Sequence, residues 1–156
     1  MAQSHLSDHS DLEYRPVPSV EVRLSLRSQI AAISPLVDQL MSLIGASRAP
    51  DGSEGDIEIA LREALTNAVV HGNRENPNKH VEIICRCAVD GAVDITIRDE
   101  GDGFDSSSIP DPTTPENRMY PHGRGIFLMR SLMDDVRFED RGTVVHMRKK
   151  PNAKAA

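Results

Sequence analysis

The strongest constraint on the fold is a strict alternation of apolar and other residues between positions 81 and 97. The apolar members occupy every second position, at Val81, Ile83, Cys85, Cys87, Val89, Val93, Ile95 and Ile97. Asp90-Gly91 interrupts the pattern with a dipeptide that is typical of two-residue hairpins. Because successive side chains of a strand point to opposite faces, the pattern predicts two antiparallel strands with one shared buried face.

Two stretches before this hairpin also show a clear period. Alternation over residues 20–26 predicts an opening strand, and helical spacing over residues 30–44 predicts a helix that stops at Gly45. Pro35 either kinks this helix or begins its second part, with Ser34 as a possible cap.

The remaining elements complete the predicted fold. A capping-box pattern at Ser53 and Asp56 opens a second helix, which ends at residues 72–73. A third helix is predicted over residues 126–133, followed by a hairpin that turns at residues 140–142. This order predicts an α+β two-layer sandwich, in which helices cover one face of a mixed, largely antiparallel sheet.

The chain length of 156 residues is typical of one domain, which we predict over residues 20–150. Residues 1–19 and 151–156 lack periodicity and are interpreted as loosely ordered tails. Residues 105–121 also lack periodicity and are rich in Ser, Thr, Asp and Pro. Long segments of this kind inside a domain are typically functional, and we interpret this one as a lid.

Composition excludes several classes of function. With 18 basic and 24 acidic residues, the net charge is -6, so the field that attracts nucleic acid is missing. Aromatic residues make up 3% of the chain, which predicts an aliphatic core. No segment approaches the roughly 20 apolar residues of a membrane span, and the acidic start is unlike a signal peptide. A cytoplasmic location follows, with Cys85 and Cys87 as buried free thiols.

Glu63, Asn67 and His71 recur at spacings of four, which places them on one side of the second helix with roughly 40° of drift per step. In one interpretation they form a solvated helix face. In the other, the carboxylate accepts a proton and the carboxamide oxygen coordinates magnesium. For His71, an interaction with the carbonyl groups at the helix end is as good an interpretation as a ligand role.

Two glycine-rich motifs follow in the sequence. Asp99 ends a strand and could accept a hydrogen bond from an exocyclic amine, while Gly101 and Gly103 permit close backbone approach. An acidic turn is the alternative interpretation. The Gly-Arg-Gly motif at residues 123–125 opens a helix, whose bare backbone amides suit a phosphate. It matches neither a Rossmann fingerprint nor a Walker loop.

In combination, these motifs resemble the Bergerat-type ATPase superfamily, which includes histidine kinases and gyrase. Within it, the chain is most similar to the anti-sigma-factor serine kinases of bacteria. Residues 63–73 are similar to the N box of the family, residues 99–104 to its first glycine box and residues 123–134 to its second. The resemblance extends over residues 20–149 and implies the Bergerat fold.

The resemblance implies a role for each site residue. Glu63 would be the catalytic base, and Asn67 would coordinate a Mg²⁺ ion that bridges the phosphates of ATP. Asp99 would bind the adenine amino group, with the Thr143 hydroxyl nearby. The other positions belong to the glycine boxes, where Gly101 and Gly103 would shape the adenine pocket and the phosphates would lie against Gly123, Arg124 and Gly125.

One departure from the family concerns the phosphates. Some of these kinases carry an arginine just before the second glycine box, where this chain reads Tyr-Pro-His. If that arginine senses the terminal phosphate, Arg124 has to replace it or the activity is altered.

The implied function is that of an ATP-binding anti-sigma factor and serine-protein kinase. It would sequester an alternative sigma factor, phosphorylate an antagonist protein on serine and form a homodimer, without contacting nucleic acid or membrane. The alternative is a non-catalytic regulatory module in which ATP only sets partner affinity. No upstream helical pair carries a phosphoacceptor histidine, so an autophosphorylating histidine kinase is not expected.

Overall fold

A computed structural model describes residues 17–49, 52–103 and 123–152 of the chain. The strands are β1 (Ser19–Arg27), β2 (His80–Ala88), β3 (Val93–Arg98), β4 (Asp135–Glu139) and β5 (Val144–Lys149). The helical elements are α1 (Ile33–Ala46), α2 (Glu54–Thr66) and α3 (Gly123–Leu132), with 3-10 turns at Ile30–Ala32 and Asp140–Gly142 and a π-helical turn at Asn67–Gly72. The predicted lid and most of both predicted tails lie outside the described residues, so the domain boundaries stay predictions.

The strands form one sheet in the order β1-β2-β3-β5-β4. The predicted α+β sandwich with a largely antiparallel sheet is confirmed, and among the described strands every pairing is antiparallel. The register aligns apolar with apolar positions, since Cys85 lies opposite Ile95, which in turn lies opposite Met147. One face of the sheet is therefore apolar across several strands.

The three helices cover this apolar face. Their fully buried side chains include Val37 and Leu40 of α1, Leu61 and Leu65 of α2, and Met129 of α3. Burying a side chain of this size contributes roughly 1.5–3 kcal/mol. No aromatic ring in the described part of the chain is fully buried, which confirms the predicted aliphatic core. None of the described helices is both long and apolar enough to cross a membrane.

The opposite face of the sheet carries charged side chains that pair across strands. Arg86 on β2 contacts Glu21 on β1, and Arg148 on β5 donates to the Asp94 carboxylate on β3 at 2.9 and 3.0 Å. Exposed ion pairs of this kind contribute about 0–1 kcal/mol each. This face is thus compatible with water, and the sheet needs helices on one side only.

Pro35 was predicted either to kink the first helix or to begin its second part, and the structure has a change of helix type just before it. The 3-10 turn Ile30–Ala32 changes to α-helix at Ile33, so Pro35 lies in the first α-helical turn, where a missing amide N–H is tolerated. The residue before Ile33 is the N-cap, and the prediction of Ser34 as a cap is therefore wrong. Ser53 occupies the N-cap of α2 without a side-chain capping bond, so the predicted capping box does not form.

Helix α1 ends later than predicted. Gly45 lies inside the helix, which continues to Ala46. The Ser47 hydroxyl then donates a hydrogen bond to the Ile44 carbonyl at 2.6 Å. This bond satisfies one of the carbonyl groups that a helix leaves unpaired at its end. A serine after the helix thus takes the place that the sequence analysis gave to the glycine.

The hairpin between β2 and β3 is one residue longer than predicted. Ala88 donates to the Ala92 carbonyl at 2.9 Å, so three residues lie inside the turn. The Asp90 carboxylate accepts a hydrogen bond from the Ala92 amide at 2.9 Å, which favours this longer closure. Gly91 has φ +99°, and a Cβ atom there would lie 2.4 Å from the Arg48 carbonyl oxygen.

The buried side chain of Asn73 connects three separate segments of the chain. Its Nδ2 donates to the Ser28 hydroxyl at 2.7 Å and to the His80 carbonyl at 2.9 Å. Its Oδ1 accepts a hydrogen bond from the Glu100 amide at 2.7 Å. The sequence pattern predicts Asn73 only as part of a helix terminator, whereas in the structure its side chain also fixes the ends of β1, β2 and β3 relative to one another.

Replacing Asn73 with alanine should destabilise the fold strongly. The substitution leaves the buried Ser28 hydroxyl, and with it the Glu100 amide and the His80 carbonyl, without their partner, and a buried unpaired group costs roughly 1–3 kcal/mol. We expect the free energy of unfolding to fall by about 2–4 kcal/mol in urea denaturation followed by circular dichroism.

The exposed Asn78 provides the matched control, because it lies in the same loop. The Asn78→Ala variant should stay within about 0.5 kcal/mol of the parent chain. Equal effects of the two substitutions would show that the Asn73 hydrogen bonds do not hold these segments together.

Candidate functional site

A cavity of about 200 Å³ opens where β3 ends. Its walls come from α2 and the π-helical turn, the loop after β3, helix α3 and the start of β5. Its lining includes Asn67, His71, Gly72, Asp99, Gly103 and Thr143. Four of the predicted site residues, Asn67, Asp99, Gly103 and Thr143, are therefore brought together here, although they come from three distant parts of the sequence.

The π-helical turn aligns the polar side chains of the helix wall. The Asn73 amide donates to the Ala68 carbonyl at 2.8 Å, a step of five residues instead of four. In an α-helix a step of four residues overshoots one turn by roughly 40°, whereas in a π-helical turn it falls short of one turn. The angular offset between the Glu63 and Asn67 side chains about the helix axis is thus opposite in sign to the offset between Asn67 and His71. The sequence analysis predicted a regular helix and missed this turn.

Among the described residues, Nδ2 of Asn67 is the one buried side-chain polar atom without a hydrogen-bond partner. Leaving a buried donor unpaired costs about 1–3 kcal/mol. This amide lies beside Gly125, where a Cβ atom would be 3.3 Å from Nδ2 of Asn67 and 2.9 Å from Oε2 of Glu63. A bound group with acceptor oxygens would supply the missing partner.

His71 lines the same cavity. Burial lowers the pKa of its imidazole below the usual value, so the ring is neutral at neutral pH. A neutral ring can donate one hydrogen bond and accept another, and it adds no positive charge to the cavity.

The Asp99 carboxylate lies against two glycines. Its Oδ1 accepts a hydrogen bond from the Gly101 amide at 2.8 Å. A Cβ atom on Gly72 would lie 2.5 Å from the Asp99 carboxyl carbon, and one on Gly101 would lie 2.2 Å from the Gly72 carbonyl oxygen. Both positions therefore need glycine for the carboxylate to reach the cavity.

Burial raises the pKa of Asp99 above its usual value, although the Gly101 amide and the charge of Lys79 oppose this shift. The Asp99 backbone amide donates to the Thr143 carbonyl at 2.9 Å, which ties the carboxylate to β5. The Thr143 hydroxyl donates to the Asp140 carbonyl at 2.9 Å. Its oxygen lone pairs can then accept a hydrogen bond from a ligand.

A strained turn lies directly against the glycine loop that lines the cavity. Asp140 and Arg141 have φ values of 49° and 58°, which non-glycine residues rarely adopt. Gly103 has φ +81°, and a Cβ atom there would lie 2.2 Å from the Arg141 carbonyl oxygen. The sequence analysis placed a turn here but missed its left-handed conformation.

Helix α3 contributes Met129 to the cavity lining, whereas its first residues, 123–125, lie outside that lining, as do the predicted site residues Glu63 and Gly101. Gly123 and Gly125 are buried, whereas the Arg124 side chain is exposed and does not belong to the cavity lining. The first amides of a helix have no partner within the helix and suit an anion. Within the described ranges, no three His, Cys, Asp or Glu side chains converge to hold a metal ion.

Comparisons with known proteins agree with this geometry. A family model described as "Histidine kinase-like ATPase domain" matches residues 26–149. An anti-sigma F factor of Priestia megaterium is 31% identical over 133 residues, which cover 81% of this chain and 80% of that protein. The anti-sigma F factor of Geobacillus thermodenitrificans is 32% identical over 134 residues, with the same two coverages.

A serine-protein kinase is also similar. RsbW of Bacillus subtilis is 37% identical over 102 residues, which cover 60% of this chain and 62% of that protein. The range matched by the family model contains all predicted site residues, from Glu63 to Thr143. An ATPase domain binds ATP, and the resemblance found in the sequence is confirmed. The chain belongs to the histidine kinase-like ATPase family, and its relatives there include proteins named as anti-sigma F factors and serine-protein kinases.

Proposed function

We propose that this chain is an ATP-dependent serine-protein kinase that also sequesters an alternative sigma factor and phosphorylates its antagonist protein on serine. The names of the relatives support both activities. The observation that carries the kinase activity is the position of the Glu63 carboxylate beside the unpartnered Asn67 amide and the backbone of Gly125. The Glu63 carboxylate can accept a proton, and the adjacent Asn67 amide still lacks a hydrogen-bond acceptor.

The adenine would bind at the Asp99 end of the cavity. Oδ1 of Asp99 already accepts the Gly101 amide, which leaves Oδ2 for the exocyclic amino group of adenine. The Thr143 hydroxyl lines the same region, and Gly101 and Gly103 keep the loop backbone close to the base.

The phosphates would lie between α2 and the start of α3. The backbone amides of Gly123 and Gly125 belong to the first turn of α3 and have no acceptor within the helix, and Arg124 is the cation nearest in sequence to them. Oδ1 of Asn67 is a hard oxygen ligand of the kind that Mg²⁺ prefers, and this ion commonly takes its other ligands from phosphates and water. When bound, Mg²⁺ would neutralise charge on the phosphates.

Glu63 would act on the serine hydroxyl of the antagonist. The hydroxyl oxygen attacks the terminal phosphorus while the bond to the bridging oxygen of ADP breaks, and Glu63 accepts the hydroxyl proton. The amides at the start of α3 and the Asn67 amide would hold the transferring group in line. This division of roles makes binding and transfer separable by mutation.

The proposed setting is a homodimer in the cytoplasm. Both cysteines of the chain are unpaired, as is usual in a reducing compartment. The partners would be proteins, because the net charge of -6 does not favour nucleic acid.

Glu63→Gln should abolish phosphotransfer while ATP affinity stays within about twofold. Losing a general base typically costs 10²–10⁴-fold in rate. The measurements are serine phosphorylation of candidate antagonists and calorimetric titration with ATP. The control is Glu54→Gln, an exposed position about two and a half turns earlier on α2, which should transfer normally. If the parent chain binds ATP but phosphorylates no antagonist, the non-catalytic regulatory module is the correct function.

Asn67→Ala should weaken ATP binding without destabilising the protein. The free chain loses an unpaired buried amide, so its free energy of unfolding should not fall. The dissociation constant for ATP should rise about tenfold or more in the presence of Mg²⁺ and much less in its absence. Equal ATP affinities of variant and parent under both conditions would remove Asn67 from the proposed metal site.

Asp99→Asn should make the free protein more stable at neutral pH. Because the pKa of this carboxyl is higher in the folded than in the unfolded chain, the parent loses stability as pH rises from about 4 through the folded pKa. Asparagine does not ionise, so the advantage of the variant should appear across that window and persist above it. Urea unfolding of the variant and of the parent chain at several pH values measures it, and an equal dependence of the two on pH would contradict the prediction.

The same Asp99→Asn variant should bind ATP at least about tenfold more weakly. Its Oδ1 remains engaged with the Gly101 amide, so the atom facing the adenine amino group becomes an amide donor instead of an acceptor. Two donors cannot pair, and the buried polar group is left unsatisfied. Unchanged ATP affinity would mean that adenine binds elsewhere.

A further inference from the structure

A second cavity, of about 380 Å³, lies at the other end of the sheet. It is formed where β1 begins, where α1 has ended and where β2 ends, and its lining includes Val20, Ser47, Arg48, Cys87 and Val89. The nine residues of β2 separate this cavity from the nucleotide site by roughly 25 Å. The proposed kinase chemistry makes no use of it.

Two thiols lie side by side at this cavity. Cys85 and Cys87 are separated by one residue on β2, so both side chains point to its inward face. Cys85 is fully buried, whereas Cys87 is 5% exposed and belongs to the cavity lining. The two thiols adjoin each other, and Ser47, the residue after α1, adjoins Cys87 at the cavity. One sulfur is therefore at the cavity wall, with a second thiol behind it.

The surroundings of the pair make the two thiols unequal. The Cys85 hydrogen bond, and to a smaller extent that of Ser47, lowers the pKa of Cys87 against the effect of burial. The hydrogen bond with Cys87, burial and the charge of Asp94 raise the pKa of Cys85. Arg48 lines the cavity, and the residues opposite Cys85 and Cys87 on β1 and β3 are aliphatic. Cys87 is thus the thiol that ionises first.

The walls around Cys87 select for an apolar molecule. Val20 and Val89 are 59% and 57% exposed, and Ala46 and Ala88 complete a mostly apolar lining. A cavity of this volume is at the lower end of the range for small-molecule sites. Its occupant would be small, with an apolar or aromatic body next to the sulfur.

We propose that Cys87 is a thiol-modification site that exchanges with small disulfides carrying an apolar substituent. The Cys87 thiolate attacks one sulfur of the disulfide, the S–S bond breaks, and the other sulfur leaves as a thiolate with the bonding electron pair. Cys87 is oxidised to a mixed disulfide, and the departing half is reduced. Cys85 acts as a positioning residue that holds a proton toward Cys87. Alternate positions of one extended strand do not have disulfide geometry, so Cys85 is not its bonding partner.

The test uses the full chain and the neutral aromatic reagent 4,4′-dithiodipyridine, whose released thiopyridone is followed by absorbance. Folded protein should release one equivalent per chain, and mass spectrometry should locate the adduct on Cys87. Cys87→Ser should abolish this reaction. Cys85→Ser should keep one modified thiol but slow its reaction at neutral pH by about threefold or more and move its pH profile upward. Equal modification of both thiols, or an unchanged profile in Cys85→Ser, would overturn the assignment.

Reaction through unfolding is distinguished by its kinetics. In the folded protein, the rate should increase in proportion to reagent concentration and should change little in urea below the unfolding transition. A rate that is independent of reagent concentration, or that follows the unfolded fraction, would show that the cavity gives no access and would refute the proposal.

The apolar selectivity has its own test. The rate with 4,4′-dithiodipyridine is divided by the rate with glutathione disulfide, a larger and charged reagent, first on folded and then on urea-unfolded chain. The ratio should be about tenfold higher on the folded chain, because intrinsic reagent reactivity cancels in the comparison. Equal ratios would show that the cavity does not select its occupant. ATP affinity should be the same before and after modification, so this proposal can fail independently of the kinase function.

Discussion

The position of the candidate site depends on the buried hydrogen bonds of Asn73. Its amide joins the residue after β1, the first residue of β2 and the backbone immediately after Asp99. With the helix end and the loop fixed in this way, Gly72 can approach Asp99 so closely that no side chain fits between them. The hydrogen bonds are local, but they determine how the polar helix wall faces the carboxylate across the cavity.

The site itself is made of features that lower the stability of the free protein. Asp99 is a partly buried carboxylate with a raised pKa, Asn67 has an unpaired amide, and Arg141 has a left-handed backbone. Each is unfavourable without a ligand, and each leaves a donor, an acceptor or a backbone surface available for one. The aliphatic core and the antiparallel sheet compensate for these costs, since they bury apolar side chains and satisfy their own backbone hydrogen bonds.

Much of the fold follows from sequence, because apolar alternation reports directly on a sheet with one buried face. The strands around Cys85 and Ile95 and the third helix were predicted for this reason, and the motifs contain Asn67 and Asp99, which line the same cavity. The π-helical turn was not predictable, because the choice between a step of four and a step of five residues is made by the contacts of Asn73 with distant segments. The hairpin length was likewise decided by one side chain, that of Asp90. The exposed position of Arg124 is a tertiary property that its motif does not contain.

The π-helical turn also limits how the chain length can vary. The extra residue lies between Glu63 and Asn73, two positions whose surroundings are held by different parts of the protein. Deleting one residue there would restore a regular helix but rotate all that follows by about 100°. Asn73 would then face away from Ser28 and Glu100, although every remaining residue of the helix would still be a good helix former. The number of residues in this segment is thus fixed by the two ends it has to connect, and not by the helix that they form.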